Sequence, residues 1–202
     1  MNCAMVDCYQ CFADLAAGES FGIDYQLVIR DRGSTYAAIA PHGGYIEPGT
    51  SEIGAAIAAY DHSYYAFEGL RRGRPHRDLH ITSHRFDEPL CVALVRRCQS
   101  VIAVHGRADR KAPSTTWLGG RDEALRLAIA AALQKVGFEA QLAVGALAGN
   151  SGANICNRTA NGAGVQLELP RTLRGRLLED EKQMAAYSGA IRACLVQDYL
   201  SR

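Results

Sequence analysis

The sequence predicts an α/β sandwich, in which one sheet is covered by helices on both faces. Short β-branched apolar runs alternate with segments of helical periodicity along most of the 202 residues. The run "SVIAV" at residues 100–104 is continuously apolar, as expected of a strand that is buried on both faces. No linker or internal repeat divides the chain, so we expect a single three-layer domain over residues 1–202.

The individual elements follow from these patterns and from the signals at their ends. Thr50 or Ser51 is a natural N-cap for the first predicted helix, and Asp87 followed by Pro89 marks the start of the second. Gly137 is a typical C-terminal stop for the third. The predicted strands cover residues 25–32, 35–40, 64–69, 78–83, 100–106, 139–144 and 164–170, and the predicted helices cover residues 51–61, 87–98, 122–137 and 178–200.

Charge and hydropathy argue against several classes of function. The chain has 22 basic and 21 acidic residues, and a net charge of +1 is unlike that of a general nucleic-acid or membrane-surface binder. No apolar run approaches the ~20 residues of a membrane span. The N-terminus has no basic segment followed by an apolar one, and the seven cysteines are odd in number and scattered. These features predict a cytoplasmic protein in a reducing compartment.

Two histidines follow apolar runs at positions where buried strands are expected to end. His42 ends one run and His105 ends another, and ligands commonly gather at the carboxyl ends of strands in α/β sheets. Glu47 comes five residues after His42, across two glycines that allow a tight turn. Two histidines and a carboxylate form a ligand set of catalytic zinc, which keeps a fourth position open. The three residues predict a metal centre, although each histidine alone is also typical of a structural residue.

A carboxylate near the end of the last predicted strand is the candidate for proton transfer. Glu168 lies between apolar neighbours in "VQLELP". A desolvated carboxylate can have a raised pKa and act as general base or acid. We therefore expect Glu168 to take a proton from a metal-activated water and to pass it to a leaving nitrogen. The alternative is a strand glutamate held in a salt bridge.

Four segments, "HGGYIEPGTSE", "VHG", "NICNR" and "GVQLELPRTLR", together resemble the zinc-dependent poly-γ-glutamate hydrolases of bacteriophages and bacteria. The matching pieces extend from about residue 20 to residue 180. The resemblance implies a mixed sheet flanked by helices, as in zinc carboxypeptidases, and zinc as the cofactor. It implies that the zinc ligands are His42, Glu47 and His105. It also implies that Glu168 is the general base and that Glu52 supports the ligands or caps the following helix.

An acidic polymer requires cationic partners. Poly-γ-glutamate presents one free α-carboxylate per residue, and guanidinium groups bind carboxylates in bidentate fashion. Asn157 and Arg158 in "NICNR" resemble the pair with which carboxypeptidases hold a substrate carboxylate, although here the pair follows the last metal histidine. Arg171 is a further candidate because it lies close to Glu168 in sequence. The basic segment at residues 71–85 is either a substrate contact or a solvated loop.

The predicted activity is zinc-dependent hydrolysis of γ-glutamyl amide bonds in an acidic polymer or peptide, by an enzyme released on lysis if the chain is phage-derived. Three alternatives stay open. A carboxypeptidase-like amidase would use the same residues on a small acyl-amino acid, and a non-catalytic zinc-containing module would bind a polyanion without cleaving it. A serine hydrolase is the weakest alternative, because "AGNSGAN" around Ser151 does not match the nucleophile-elbow pattern.

Overall fold

A computed structural model describes residues 7–201. Within this range the chain forms seven strands and six α-helices. None of these helices is long and apolar enough to cross a bilayer. The strands are β1 (Tyr25–Arg30), β2 (Tyr36–Gly44), β3 (Ser63–Gly69), β4 (Ser100–Arg107), β5 (Thr116–Gly119), β6 (Ala140–Leu142) and β7 (Val165–Pro170), and the helices are α1 (Phe12–Gly18), α2 (Thr50–Ala58), α3 (Pro89–Arg97), α4 (Glu123–Lys135), α5 (Arg171–Glu179) and α6 (Glu181–Ser201).

The strands form one mixed sheet in the order β1-β3-β2-β4-β7-β5-β6. Strands β3, β2, β4 and β7 run parallel to one another, while β1 and β5 are antiparallel to their neighbours β3 and β7. The carboxyl ends of β2, β4 and β7 therefore meet at one edge of the sheet. His105 on β4 is paired directly with Glu168 on β7, so two of the predicted site residues lie side by side on that edge.

Alternation along the strands divides the buried side chains between two cores, one on each face of the sheet. On one face, Ile102 and Leu167 pack with apolar residues of α2, α4, α5 and α6. On the other face, Ile39 and Val101 pack with α1, α3 and the loops that follow β3 and precede β7. The sheet is thus covered on both faces, which confirms the predicted three-layer architecture.

The predicted strand at residues 78–83 is wrong. This segment follows a 3₁₀ turn (His76–Asp78) and continues as an irregular loop. Its backbone groups have separate partners instead of a neighbouring strand: the Ile81 carbonyl accepts from His42, the Thr82 amide donates to Asp7, and the Ser83 carbonyl accepts from the Ile155 amide. These partners satisfy the backbone groups of the loop without a strand ladder.

Several boundaries also differ from prediction. Helix α1 and strand β5 were not predicted, because each is short and neither shows a clear periodicity. The helix predicted at 178–200 instead spans the end of α5 and most of α6, which are separated at Asp180. The Asp180 carboxylate accepts from the backbone amides of Lys182 and Gln183. The N-cap of α2 is Gly49, one residue before the predicted Thr50. The N-cap of α3 is Glu88, one residue after the predicted Asp87.

Candidate active site

His42 lies near the end of β2 and is almost completely buried, with 1% of its surface exposed. Its Nε2 atom lies 2.8 Å from the carbonyl oxygen of Ile81. A carbonyl can only accept, so Nε2 carries the proton in the neutral ring and Nδ1 keeps its lone pair. The loop that was predicted as a strand therefore fixes which nitrogen of His42 is available as a ligand.

His105 presents the same nitrogen from the neighbouring strand. Its Nε2 lies 3.3 Å from the hydroxyl of Ser83, and its Nδ1 lies 3.2 Å from Nδ1 of His42. Burial, followed by the proximity of the His42 imidazole, lowers the pKa of His105 to about 3. The ring is therefore neutral at physiological pH, as a metal-binding imidazole must be.

Glu47 returns to these histidines through a tight turn. Its backbone amide donates to the His42 carbonyl at 2.9 Å. Gly44 in this turn has φ +60°, and a Cβ added there would lie 2.4 Å from the Gly69 carbonyl oxygen. Only glycine meets both conditions, so the turn explains why the sequence has a glycine at this position.

The Glu47 carboxylate completes a cluster of three ligand atoms. Its Oε2 lies 3.5 Å from Nδ1 of His42 and 3.9 Å from Nδ1 of His105, and it accepts from the Gly106 amide at 2.8 Å. Tetrahedral ligands at normal zinc distances are about 3.4 Å apart. Burial opposes ionisation of Glu47, but the adjacent imidazoles, His42 foremost, lower its pKa well below the usual range. The donor set and its spacing therefore fit one divalent cation.

A further histidine shares this region. Nδ1 of His80 lies 2.6 Å from the Asp7 carboxylate, and the His80 ring stacks on His42 with centroids 4.0 Å apart. His42, Glu47 and His80 also offer ligand atoms within 4.8 Å of one another. His80 belongs to the basic segment at 71–85, and from the sequence it could either serve the site or be a structural histidine.

Glu168 stands beside this cluster. It is 9% exposed, is paired with His105 across β4 and β7, and accepts at Oε1 from Nε2 of Gln166 at 2.8 Å. Burial, and then the negative charge of Glu47, raise the pKa of Glu168 to about 8. This buried carboxyl group with an elevated pKa has the character that the sequence predicted for a proton-transfer residue.

These side chains open into one cavity of about 400 Å³ at the carboxyl edge of the sheet. Its other walls are the loop at residues 82–84 and the loop at residues 145–154. Among the described residues, no arginine or lysine lines it. The lining residues are His42, Glu47, His80, Thr82, Ser83, His84, His105, Gly145, Ala146, Gly149, Asn150, Ser151, Asn154, Gln166 and Glu168.

Asn157 and Arg158, predicted to bind substrate, lie behind the cavity wall. The Arg158 guanidinium donates to the carbonyls of Ala153 and His84 at 2.8 and 3.0 Å, and so joins the two loops that border the cavity. Asn157 is 2% exposed and its side chain is fully engaged with the backbone. Their predicted contact with substrate stays a prediction, and the contacts present in the structure shape the cavity loops.

Asn157 is expected to be the main internal support of the 149–164 loop. Its Oδ1 accepts from the amides of Arg121 and Gly164, and its Nδ2 donates to the carbonyls of Gly149 and Ser151. Asn157→Ala removes all four bonds, so we expect the free energy of unfolding to fall by about 2–4 kcal/mol. Urea denaturation measures this loss.

Asn161→Ala is the matched control for that experiment. Asn161 lies on the same loop and is exposed, so its replacement should change stability by less than about 0.5 kcal/mol. Equal losses in the two variants would contradict the role given to Asn157.

The remaining predicted residues lie outside the cavity. Arg171 is exposed at the first position of α5, and Glu52 is exposed in the first turn of α2. The basic segment at 71–85 is largely neutralised by acidic partners. These ion pairs are Arg71 with Asp24, Arg74 with Glu19, Asp24 and Asp78, and Arg85 with Asp7.

Known protein families include one that matches almost the whole chain. The profile of the poly-gamma-glutamate hydrolase family matches residues 9–193. The chain belongs to this family. The predicted resemblance is therefore confirmed, and family membership supports hydrolase activity.

Three curated relatives come from Bacillus subtilis (strain 168). The UPF0714 protein YmaC is 35% identical over 207 residues, covering 96% of this chain and 86% of YmaC. The UPF0714 protein YndL is 35% identical over 173 residues, covering 85% of this chain and 67% of YndL. The SPbeta prophage-derived protein YoqZ is 37% identical over 165 residues, and the match spans 81% of this chain and 58% of YoqZ.

Solved structures of family members share the fold. A bacteriophage poly-gamma-glutamate hydrolase superimposes with a TM-score of 0.91 at 28% identity, covering 98% of this chain and 100% of the hydrolase. A structure described as zinc-free apo YndL gives a TM-score of 0.87 at 32% identity, covering 96% of this chain and 99% of YndL. A candidate carboxypeptidase from Burkholderia mallei ATCC 23344, at 13% identity and a TM-score of 0.50, shares the fold alone. The predicted carboxypeptidase-like sandwich is confirmed.

Proposed function

We propose that the chain hydrolyses γ-glutamyl amide bonds of poly-γ-glutamate, with one zinc ion held by His42, Glu47 and His105. The supporting observation is the convergence of three lone-pair atoms, 3.2–3.9 Å apart, next to a buried carboxyl group. The zinc-free description of the YndL structure adds that a relative is associated with zinc.

His105 is a better third ligand than His80. The Nδ1 of His105 faces the other two ligand atoms at distances close to those around one ion. The His80 ring is tilted by 39° over the His42 ring, with centroids 4.0 Å apart, and its Nδ1 lies 2.6 Å from the Asp7 carboxylate. Nδ1 of His80 is therefore engaged by Asp7, outside the proposed ligand set. With His80 outside the set, the ion keeps a position open for solvent or substrate.

The protein groups divide the hydrolysis between them. Zinc, when bound, polarises the scissile carbonyl and makes a water molecule more acidic. Glu168 is placed to accept the proton of the attacking water and to deliver it to the nitrogen of the leaving glutamyl residue. Its neighbours Leu167 and Leu169 are fully buried in the apolar core. The rigid strand therefore holds the carboxylate in place during both transfers.

The cavity bears on the size of the substrate. A cavity without arginine or lysine also fits a carboxypeptidase-like amidase that takes a small γ-glutamyl peptide or an acyl-amino acid. The polymer is preferred because a family member of known structure is described as a poly-gamma-glutamate hydrolase. Histidine side chains and the amide of Asn150 in the lining can donate to the α-carboxylates in place of guanidinium groups.

Polymer cleavage and metal content, measured on the same preparation, test the proposal. Purified protein should contain about one zinc per chain and should shorten poly-γ-glutamate on gel filtration, and a chelator should abolish cleavage until zinc is restored. Cleavage of γ-glutamyl peptides but not of polymer would favour the amidase. Zinc and polymer binding without cleavage of any substrate would identify a non-catalytic module, and cleavage unaffected by a chelator would contradict the zinc proposal.

A further inference from the structure

Beside Glu168, in the wall of the same cavity, lie two buried side-chain amides to which the proposed hydrolysis gives no role. Gln166 precedes Glu168 by two residues on β7, so both side chains point to the same face. Asn154 approaches Gln166 from the 145–154 loop. Both amide residues are 5% exposed. We call Asn154 and Gln166 the amide pair.

The backbone amide of Cys156 fixes the donor and acceptor of each hydrogen bond in the amide pair. Asn154 Oδ1 accepts from the backbone amide of Cys156 at 3.1 Å, so its Nδ2 must face Gln166. Nδ2 donates to Gln166 Oε1 at 2.8 Å, which leaves Gln166 Nε2 to face Glu168. Nε2 donates to Glu168 Oε1 at 2.8 Å. Reversing either amide would bring two acceptors or two donors together, at the cost of an unsatisfied buried group.

This arrangement makes the two oxygens of Glu168 different. Oε1 accepts from Gln166 and cannot also hold a proton on that side. Glu168 lines the cavity, and among the described residues its Oε2 has no hydrogen-bond partner, so Oε2 is the oxygen available to the reacting atoms. We propose that Asn154 and Gln166 are positioning residues that fix the rotation of the Glu168 carboxylate, so that Oε2 alone exchanges protons with the reacting atoms. This inference rests on the proposed role of Glu168 as general base.

Two substitutions separate this positioning role from simple structural support. Gln166→Met keeps the buried volume and removes the donor to Glu168. Asn154→Asp keeps the acceptor for the Cys156 amide but loses the donor to Gln166. The Gln166 amide must then turn over to donate to the new carboxylate, and its oxygen faces Glu168 Oε1. Gln134→Met, the same change at a surface position, is the matched control.

We expect each substitution to lower kcat by about 10- to 100-fold, with KM changed by less than about 3-fold and with zinc content unchanged. In the double variant, kcat should be almost the same as in Gln166→Met alone, because position 166 no longer carries an amide that Asn154→Asp could turn over. Independent structural effects would multiply instead. A multiplicative double variant, or a Gln166→Met kcat within about 2-fold of the control's, would overturn the proposal.

The amide pair can also be tested without activity. In metal-free protein with ¹⁵N-labelled glutamine, the Gln166 side-chain signal is the one that Gln166→Met removes. Asn154→Asp should shift this signal strongly, because its hydrogen-bond partners change. An unshifted signal would contradict the amide pair itself, whereas a wild type that cleaves nothing would contradict only the hydrolase proposal.

Discussion

Replacing Glu168 with glutamine is expected to lower kcat on poly-γ-glutamate by about 10²–10⁴-fold, while zinc stays bound. The change is isosteric, so the packing of β7 and the three proposed ligands should be preserved. Glutamine cannot accept and release a proton as a carboxylate does, and the loss should therefore appear in kcat instead of KM. Steady-state kinetics with elemental analysis of the same sample measure both quantities.

Glu123→Gln is the control for this variant. Glu123 lies in the first turn of α4 with 73% of its side chain exposed, so its replacement should leave turnover unchanged. If Glu168→Gln turns over substrate within about 5-fold of this control, well short of the loss expected of a general base, Glu168 does not transfer the proton.

The second large effect concerns the metal. Zinc that binds only the folded protein adds about 2.7 kcal/mol at 100 times its Kd. In a chain of 202 residues this corresponds to a rise in Tm of about 5–10 °C. We expect the wild type to show this rise and His105→Ala to lose it, together with its activity. Differential scanning calorimetry of each variant with and without zinc gives the measurement.

The comparison within each variant separates metal binding from folding. His105→Ala will also be less stable, because the side chain is buried, but that loss is the same with and without zinc. His62→Ala is the matched control, since His62 is similarly buried and packs against Tyr36 near the opposite ends of the strands. A zinc-dependent rise in His105→Ala as large as in His62→Ala would remove His105 from the ligand set.

Much of the site could be predicted because His42, His105 and Glu168 lie near the carboxyl ends of strands. An apolar run that stops at a histidine predicts both the strand and the edge where the histidine lies, and this holds for His42 and His105. The glycines of the following turn allow a glutamate to return to the same edge, and the family spacing favours Glu47 over Glu52. Strand alternation places Glu168 on the same face as His105. Local patterns of this kind need no knowledge of distant contacts.

The parts that were missed depend on contacts between distant segments. The loop at 78–83 is held by Asp7 and His42, which lie far away in sequence, so its own composition misleads. The arginines at 71–85 attract attention as a group, but their acidic partners near residues 7–24 cannot be seen from the segment itself. Gln166 could have been noticed, because residues two apart on a strand share a face.

The central claim is that Nδ1 of His42, Oε2 of Glu47 and Nδ1 of His105 surround a single zinc ion with one position open. A crystal structure of the zinc-loaded protein, with anomalous diffraction recorded on both sides of the zinc absorption edge, tests it most directly. We predict one strong anomalous peak at about 2.0–2.2 Å from these three atoms. A peak elsewhere, or an ion closed by a fourth side chain such as His80, would contradict the account.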